Sequence, residues 1–511
     1  MMNDELRLET QDISVCGTIL DTAEELAIER DIVLPDYYPD VFRVLRCTAE
    51  PAVTSRSISG GRLSFEVSVT VRVLYLTEGS RRINCLEQQL MLSKAVDAGE
   101  CSSPEVYISA ECAGVSCRAR GSRRLDVRGA VSAGIRILDH REHTIITGGR
   151  GCGIQLRKQT VTYPLKRLST SKRMTVIQQT ELPEGKPSIG AVLRSGCTLT
   201  RTEHRIVAGK LAVKGEAELT VLYSCIDSKG EDTVSELRFD MPFSQIIDMD
   251  GIDDSFEVDT QVVPAGCTVT AGSGDEKTAE WELCLNVTCI AEKTGTRVGA
   301  TDVFSTSYHC EADGTVGVLC GRSIRQELSC SSESVLKAPD GTVNEVCDCY
   351  ASCTRPTVRC DNGKTVISGS TEFSVLGIGG EGGIFSAQGQ TPYEAEITLP
   401  AGVTSAEAAA CVSSCSYVLG EGGTIKVSAD IDLTVRYRDG STVSFITAVK
   451  LDKSAPVSRD SRCALRLCRC CEGEDIWDIA KRCNTSPEAV MEDNELDEER
   501  MSLSRMLVIR N

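Results

Sequence analysis

The chain has 511 residues, enough at about 150 residues per domain for three or four folded units. With 41% apolar and 25% charged residues its composition is globular, which excludes wholesale disorder. Its 74 acidic residues outweigh 55 basic ones, and a net charge of -19 offers no electrostatic footprint for nucleic acid or an anionic membrane surface.

The first residues, MMNDELRLETQD, carry acids where a secretory signal needs a basic start and an apolar core. No later run approaches 18 uncharged apolar residues, so a cytoplasmic protein without a transmembrane segment is expected. The 26 cysteines are spread along the whole chain, and without an export signal they are expected to be reduced and mostly buried.

Self-similarity is the most informative feature. Leu34 to Arg46, LPDYYPDVFRVLR, and Leu182 to Arg194, LPEGKPSIGAVLR, share Leu, two Pro, an aliphatic residue and Leu-Arg at an offset of 148. The same offset of 148 lays Gly61 to Tyr75, GRLSFEVSVTVRVLY, over Gly209 to Tyr223, GKLAVKGEAELTVLY, without a gap. A third, more divergent copy carries Ala338 to Val346 and Gly363 to Leu376 at the corresponding places. Each copy holds a second strand-like stretch downstream: Arg124 to Ile137, Thr278 to Ile290 and Thr424 to Tyr437.

In Leu63, Phe65, Val67, Val69, Val71 and Val73 the apolar residues alternate strictly, the period of a half-buried strand and not of a helix. Gly60 and Gly61, Gly209, Gly363, and Gly422 with Gly423 precede such runs and supply hairpin turns. The pattern predicts a mainly β protein of tandem antiparallel sandwich or open-barrel repeats, followed by a small βααβ domain. The expected divisions are 1–160, 161–320 and 321–452 for the repeats, 453–462 for a linker containing Lys453 to Val457, and 463–511 for the last domain.

In that last domain Leu465 to Cys470 reads as a strand, and Asp475 to Cys483 as a helix with Ile476, Ile479, Ala480 and Cys483 on one face. Ser486 and Pro487 begin a second helix, and Met506 to Ile509 a closing strand. The expected core is Leu467, Ile476, Trp477, Ile479, Ala480, Val490, Met491, Leu496, Leu507 and Ile509, small enough that each contact matters.

The run EGEDIWDIAKRCNTSPEAVMEDNEL with the later MLVIRN resembles the LysM domain family over residues 466–510, departing at Glu495, where Gly or Pro is usual, and at Arg510. The repeats resemble SPOCS domains of clostridial and bacillar sporulation proteins through Ile32 to Asp40, IVLPDYYPD, and Val71 to Leu76, VRVLYL. Tandem SPOCS-type units ending in one LysM imply a spore coat morphogenesis protein in the mother-cell cytosol at the forespore surface. Its implied partner is the coat basement-layer ATPase, stage IV sporulation protein A. A LysM binds N-acetylglucosamine polymers in a groove that here would be lined by Gly473, Glu474, Asp475 and Ile476 on one side and Asn494, Glu495 and Leu496 on the other.

Reactive chemistry has little support. His140 and His143 in DHREH read as solvated turn residues and not a metal pair. Cys347, Cys349, Cys353 and Cys360 lack the paired knuckle spacing of zinc sites, and Cys463, Cys468, Cys470, Cys471 and Cys483 read as alternating core and surface thiols. The Gly-rich run from Gly377 to Phe385 reads as a hairpin loop, and no nucleophile elbow, phosphate loop, zinc helix or dinucleotide fingerprint occurs. With 4% aromatics a sugar-stacking hydrolase cleft is missing. A non-enzymatic protein without metal or cofactor is therefore expected. Glu488, Glu492, Asp493, Glu495, Asp497, Glu498 and Glu499 make the second side of the groove negative, which suits a basic protein surface better than a neutral glycan. A glycan-binding protein of the cortex or wall is the competing reading, and a merely solvated helix face the bland one. Unpaired strand edges would also permit self-association.

Overall fold

The computed structural model describes residues 5–510 except 80, 227–229, 272–276, 362–363, 381, 401–402, 404–405 and 459–462, so the turn expected at Gly363 lies outside the described residues. Six strands open the chain: β1 (Arg7–Val33), β2 (Arg43–Ser59), β3 (Arg62–Leu76), β4 (Ile83–Asp97), β5 (Pro104–Gly121) and β6 (Arg124–Arg150). They pair as two antiparallel sheets, β2-β3-β4 and β1-β6-β5. The next six repeat this order: β7 (Ile154–Glu181), β8 (Val192–Val207), β9 (Lys210–Ile226), β10 (Asp232–Asp248), β11 (Glu257–Ala271) and β12 (Thr278–Ser305) give β8-β9-β10 and β7-β12-β11. Positive φ at Gly61 and Gly209, both 75°, makes the corresponding tight turns of the two copies.

The third copy is more broken. After β13 (Tyr308–Ala312) and β14 (Thr315–Leu319) come β15 (Ser323–Lys337), β16 (Glu345–Cys353), β17 (Thr357–Asp361), β18 (Lys364–Ile378), β19 (Ile384–Thr398), β20 (Ala406–Leu419) and β21 (Thr424–Arg438). Strands β16 and β17 both pair with β18 and correspond to the single strand β2, interrupted at Pro356, which has no N–H for the ladder. The first and last strands of this copy continue as β14 with β22 (Thr442–Ile446) and β13 with β23 (Val449–Pro456). Lys453 to Pro456, read as linker from the sequence, thus belong to a strand, and the run from Gly377 to Phe385 is the β18–β19 hairpin.

Register shows that the copies are one design. The second strand of each slips by one residue at the same place, between Val44 and Arg46, Val192 and Arg194, and Val346 and Asp348. The fifth strand slips similarly between Cys112 and Gly114, Pro264 and Gly266, and Val412 and Ser414. Such bulges re-aim side chains, and the extra residues of the first set, Leu45 and Leu193, pack toward the centre shared by the units.

Within each unit the alternating residues fill the space between sheets; Leu63, Phe65, Val67, Val69, Val71 and Val73 are at most 1% exposed. In the second unit Trp281 takes this role, its indole N–H donating to Thr180 Oγ1 at 2.8 Å. Past the middle of β3 the other face is buried too, because Leu74, Leu222 and Leu376, one from each unit, meet with Leu193, Ile83 and Ile384. Fully burying each such leucine is worth about 1.5–3 kcal/mol. The far halves of β1 and β6, of β7 and β12, and the β14–β22 ribbon converge on a second common core that includes Ile13, Ile145, Val161, Tyr163, Val316, Val318 and Phe445. A Cβ at Gly299 would fall on the Phe445 ring, so this close approach requires glycine.

Polar contacts join every pair of units into a closed ring. Arg167 of the second binds Glu105 of the first at 3.1 Å, Arg436 of the third binds Asp259 of the second at 2.5 Å, and the Arg355 N–H of the third donates to Glu111 of the first at 2.7 Å. At the shared centre the three residues that follow the common bulge, Arg46, Arg194 and Asp348, meet: both guanidiniums bind the one carboxylate, at 3.3 and 2.8 Å, and both lie against the Tyr350 ring.

Candidate functional site

The chain closes with β24 (Leu465–Cys470), α1 (Ile476–Cys483), α2 (Pro487–Asp493) and β25 (Arg505–Arg510), β24 and β25 pairing antiparallel. Asp475 caps α1, accepting the Trp477 N–H at 2.9 Å, and left-handed Asn484 ends it; Ser486 caps α2 ahead of Pro487, accepting the Ala489 N–H at 3.2 Å. Ile476, Ile479, Ala480, Val490, Leu507 and Ile509 form the core as expected, joined by Cys470, Cys483 and Met501. Leu467 does not: it is 68% exposed, because β24 turns its Cys468 and Cys470 face toward the helices. Cys463 and Cys471 are exposed.

The unit is seated on the second sandwich. Trp477 is 8% exposed, but one of its walls is Phe304 of β12, edge-on at 4.9 Å between ring centres. Its indole N–H donates to Asp302 Oδ2 at 2.7 Å, and Lys481, one turn later, donates to both Asp302 oxygens at 2.8 Å. Burial alone would raise the Asp302 pKa; the Lys481 and Trp477 hydrogen bonds outweigh it and hold the carboxyl below its ordinary value. Arg157 of β7 adds a 2.6 Å contact to Asp475 Oδ2. Sequence reasoning missed Arg157, Asp302 and Phe304; the one available cue was the apolar pair Val303-Phe304 lying well beyond the strand expected to end at Ile290.

The seven groove residues therefore have unequal freedom. Asp475 serves as cap and seat, Ile476 is buried, and Glu474 binds Arg482 at 2.6 Å while accepting the Cys471 N–H at 3.0 Å. The Asn494 amide donates to the Val490 and Val508 carbonyls at 2.9 and 2.8 Å and accepts the Val508 N–H at 2.7 Å, stapling α2 to β25; Leu496 packs on the core. Gly473 and Glu495 remain exposed. Glu495 stands at φ 52°, a left-handed conformation that glycine adopts without strain. Around it Glu488, Glu492, Asp497, Glu498 and Glu499 are exposed, whereas Asp493 binds Arg510 at 3.1 Å. The free surface of this loop is strongly acidic.

The histidine reading needs correction. His140 and His143 lie within β6, not in a turn, because this strand runs on past the sandwich to Arg150. His140 Nε2 is 2.8 Å from Glu105, which also binds Arg167, while Arg167 and Arg438 both reach Glu292. Hydrogen bonds with Cys16 and Glu105 push the His140 pKa up to about 10. Burial would raise Glu105, but its bonds with His140 and Arg167 hold it at about 2. This network ties the units together. Cys347, Cys349 and Cys353 are half-buried on β16, the Cys360 side chain lies outside what is described, and no cluster suited to a metal occurs among the described residues. Among the described residues no helix is long and apolar enough to cross a membrane.

No curated protein and no solved structure matches the chain. The family model described as "SipL, SPOCS domain" matches residues 40–120 and 188–271, starting at positions separated by the same repeat offset and covering β2–β5 of the first unit and β8–β11 of the second; the third unit shares their sheet order and bulges outside the matched segments.

Proposed function

We propose that this chain is a non-enzymatic adaptor of spore coat assembly, in which a ring of SPOCS-type sandwiches carries a LysM-type unit that docks a protein. The likeness of two units to the SipL SPOCS domain supports a sporulation role. The observation that carries protein docking is the tail's free surface: on one side of the glycan groove Asp475 is taken by Arg157 and Ile476 is buried, and the other presents exposed acids from Glu488 to Glu499. A basic partner surface complements such a field, and the partner implied by the SipL likeness is the basement-layer ATPase, stage IV sporulation protein A, at the forespore surface on the mother-cell side.

The test is capture of that purified ATPase by the full chain. Binding should weaken with added salt and fall about tenfold or more in Glu495→Lys/Glu498→Lys with the fold unchanged by circular dichroism. Unchanged affinity would remove the electrostatic argument. Pelleting with purified peptidoglycan, together with no capture of the ATPase, would replace this reading by glycan binding.

A further inference from the structure

No disulfide is present among the described cysteines, yet some thiols are paired in space. In the third unit Cys349 of β16 and Cys415 of β20 come from opposite sheets, and their sulfurs are 3.6 Å apart. In the first unit Cys47 of β2 and Cys117 of β5 likewise come from opposite sheets and pack against one common core. Cys47 and Cys349 occupy one position of the repeat: each directly follows the residue after the shared bulge and stands opposite an equivalent valine, Val73 or Val375. Cys117 lies one same-face step farther along its strand than Cys415. The second unit has Ser195 at that position, and its hydroxyl donates to the Cys267 carbonyl at 2.6 Å. This edge between the sheets is thus bridged by a thiol pair in the third unit and by a hydroxyl in the second.

We propose that Cys349 with Cys415 and Cys47 with Cys117 are oxidative modification sites, each closing to an intersheet disulfide on reaction with a low-molecular-weight disulfide. One protein thiol loses its proton and attacks the small disulfide, whose S–S bond breaks to release one small thiolate. The second protein thiolate then attacks the protein sulfur of the mixed disulfide and expels the other small thiolate. Two protein thiols are oxidised by two electrons, and one small disulfide is reduced to two thiols. The hydrogen bond from the neighbouring sulfur lowers the Cys415 and Cys117 thiols against the opposing effect of burial, so each pair holds one sulfur primed to attack and a second in place to resolve. All four are only partly buried, which leaves a path for the reagent. The third-unit bond would join residues 66 apart, so it would restrict the unfolded chain strongly.

The full chain would be equilibrated with oxidised glutathione, quenched with N-ethylmaleimide and mapped as peptides without reduction. The expected result is linkage of Cys349 to Cys415 and of Cys47 to Cys117, each with a mass loss of about 2 Da, while exposed Cys471 carries a glutathione adduct. Oxidation should raise the thermal midpoint by several degrees in the parent and leave Cys47→Ala/Cys349→Ala unmoved. Recovery of the four cysteines as alkylated thiols or stable glutathione adducts, or linked to other cysteines, would overturn the proposal from the parent protein alone, whatever the variant does.

Discussion

Replacing Asp348 by alanine should loosen the whole ring. This carboxylate is 3% exposed and takes hydrogen bonds from Arg46 Nη1 at 3.3 Å and from Arg194 Nη2 at 2.8 Å; the Arg46 side chain is itself only 2% exposed. At an effective dielectric near 20 each contact is worth about 5 kcal/mol of gross attraction, much of it offset by the cost of burying the charges. Removing the one anion leaves two close guanidiniums without compensation, and breaking buried pairs in this way costs about 3–5 kcal/mol. Urea unfolding monitored by tryptophan fluorescence is a direct assay, because one of the two tryptophans, Trp281, sits in the second-unit core. With a slope of about 2 kcal/mol/M the midpoint should fall by about 2 M. The triple change Arg46→Met/Arg194→Met/Asp348→Leu, which removes all three charges together, should return to within about 1 kcal/mol of the parent. A loss below about 1 kcal/mol in Asp348→Ala would refute the idea that this carboxylate holds the units together.

Other expectations are equally direct. Trp477→Ala removes the tail's largest core side chain and its contact with Phe304, so it should cost about 3–5 kcal/mol and leave the tail unprotected in hydrogen exchange; retained protection would contradict the packing described. In a Trp281→Phe background, Asp302→Ala should at least double acrylamide quenching of Trp477 by freeing it from its seat, and unchanged quenching would mean that the contact is not maintained in solution. The Glu105 pKa is depressed from 4.5 to about 2, so its contribution is present above pH 4.5 and should be lost as pH falls toward 2; Glu105→Gln should flatten that acid limb of the unfolding midpoint. His140 is raised from 6.5 to about 10, so its contribution is complete below pH 6.5 and should fade as pH rises through 10; His140→Gln should remove that alkaline limb, and a limb that persisted would mean another group is responsible.

Local periodicity carried much of this fold. The alternation from Leu63 to Val73 identified an inward face that is fully buried, and the repeat offset located the corresponding strand of the second unit. Caps at Asp475 and Ser486 marked the helix starts because capping is a short-range interaction between neighbours in sequence. What stayed hidden depends on other units. Arg72 and Leu74 sit on the outward face of β3 yet are buried, since other chain segments cover them, and no period within one strand encodes that cover. His140 read as a turn residue because polar neighbours end an apolar run, whereas its strand continues to meet the second unit. Leu467 was assigned to the core on hydrophobicity, while the smaller thiols of Cys468 and Cys470 fit beneath the helices. In the candidate groove the resemblance to LysM domains suggested a binding role but gave no hint that Asp475 was already taken by Arg157.

The central trio of Arg46, Arg194 and Asp348 has one more implication. Three identical subunits about an axis would have to place the same side chain at this point three times, giving either a knot of like charges or nothing ionic at all. Fusing the copies into one polypeptide lifts that constraint: each seat around the axis can mutate by itself, so a single acid can sit between two bases, one copy can drift from its siblings, and only one need bear an appendage.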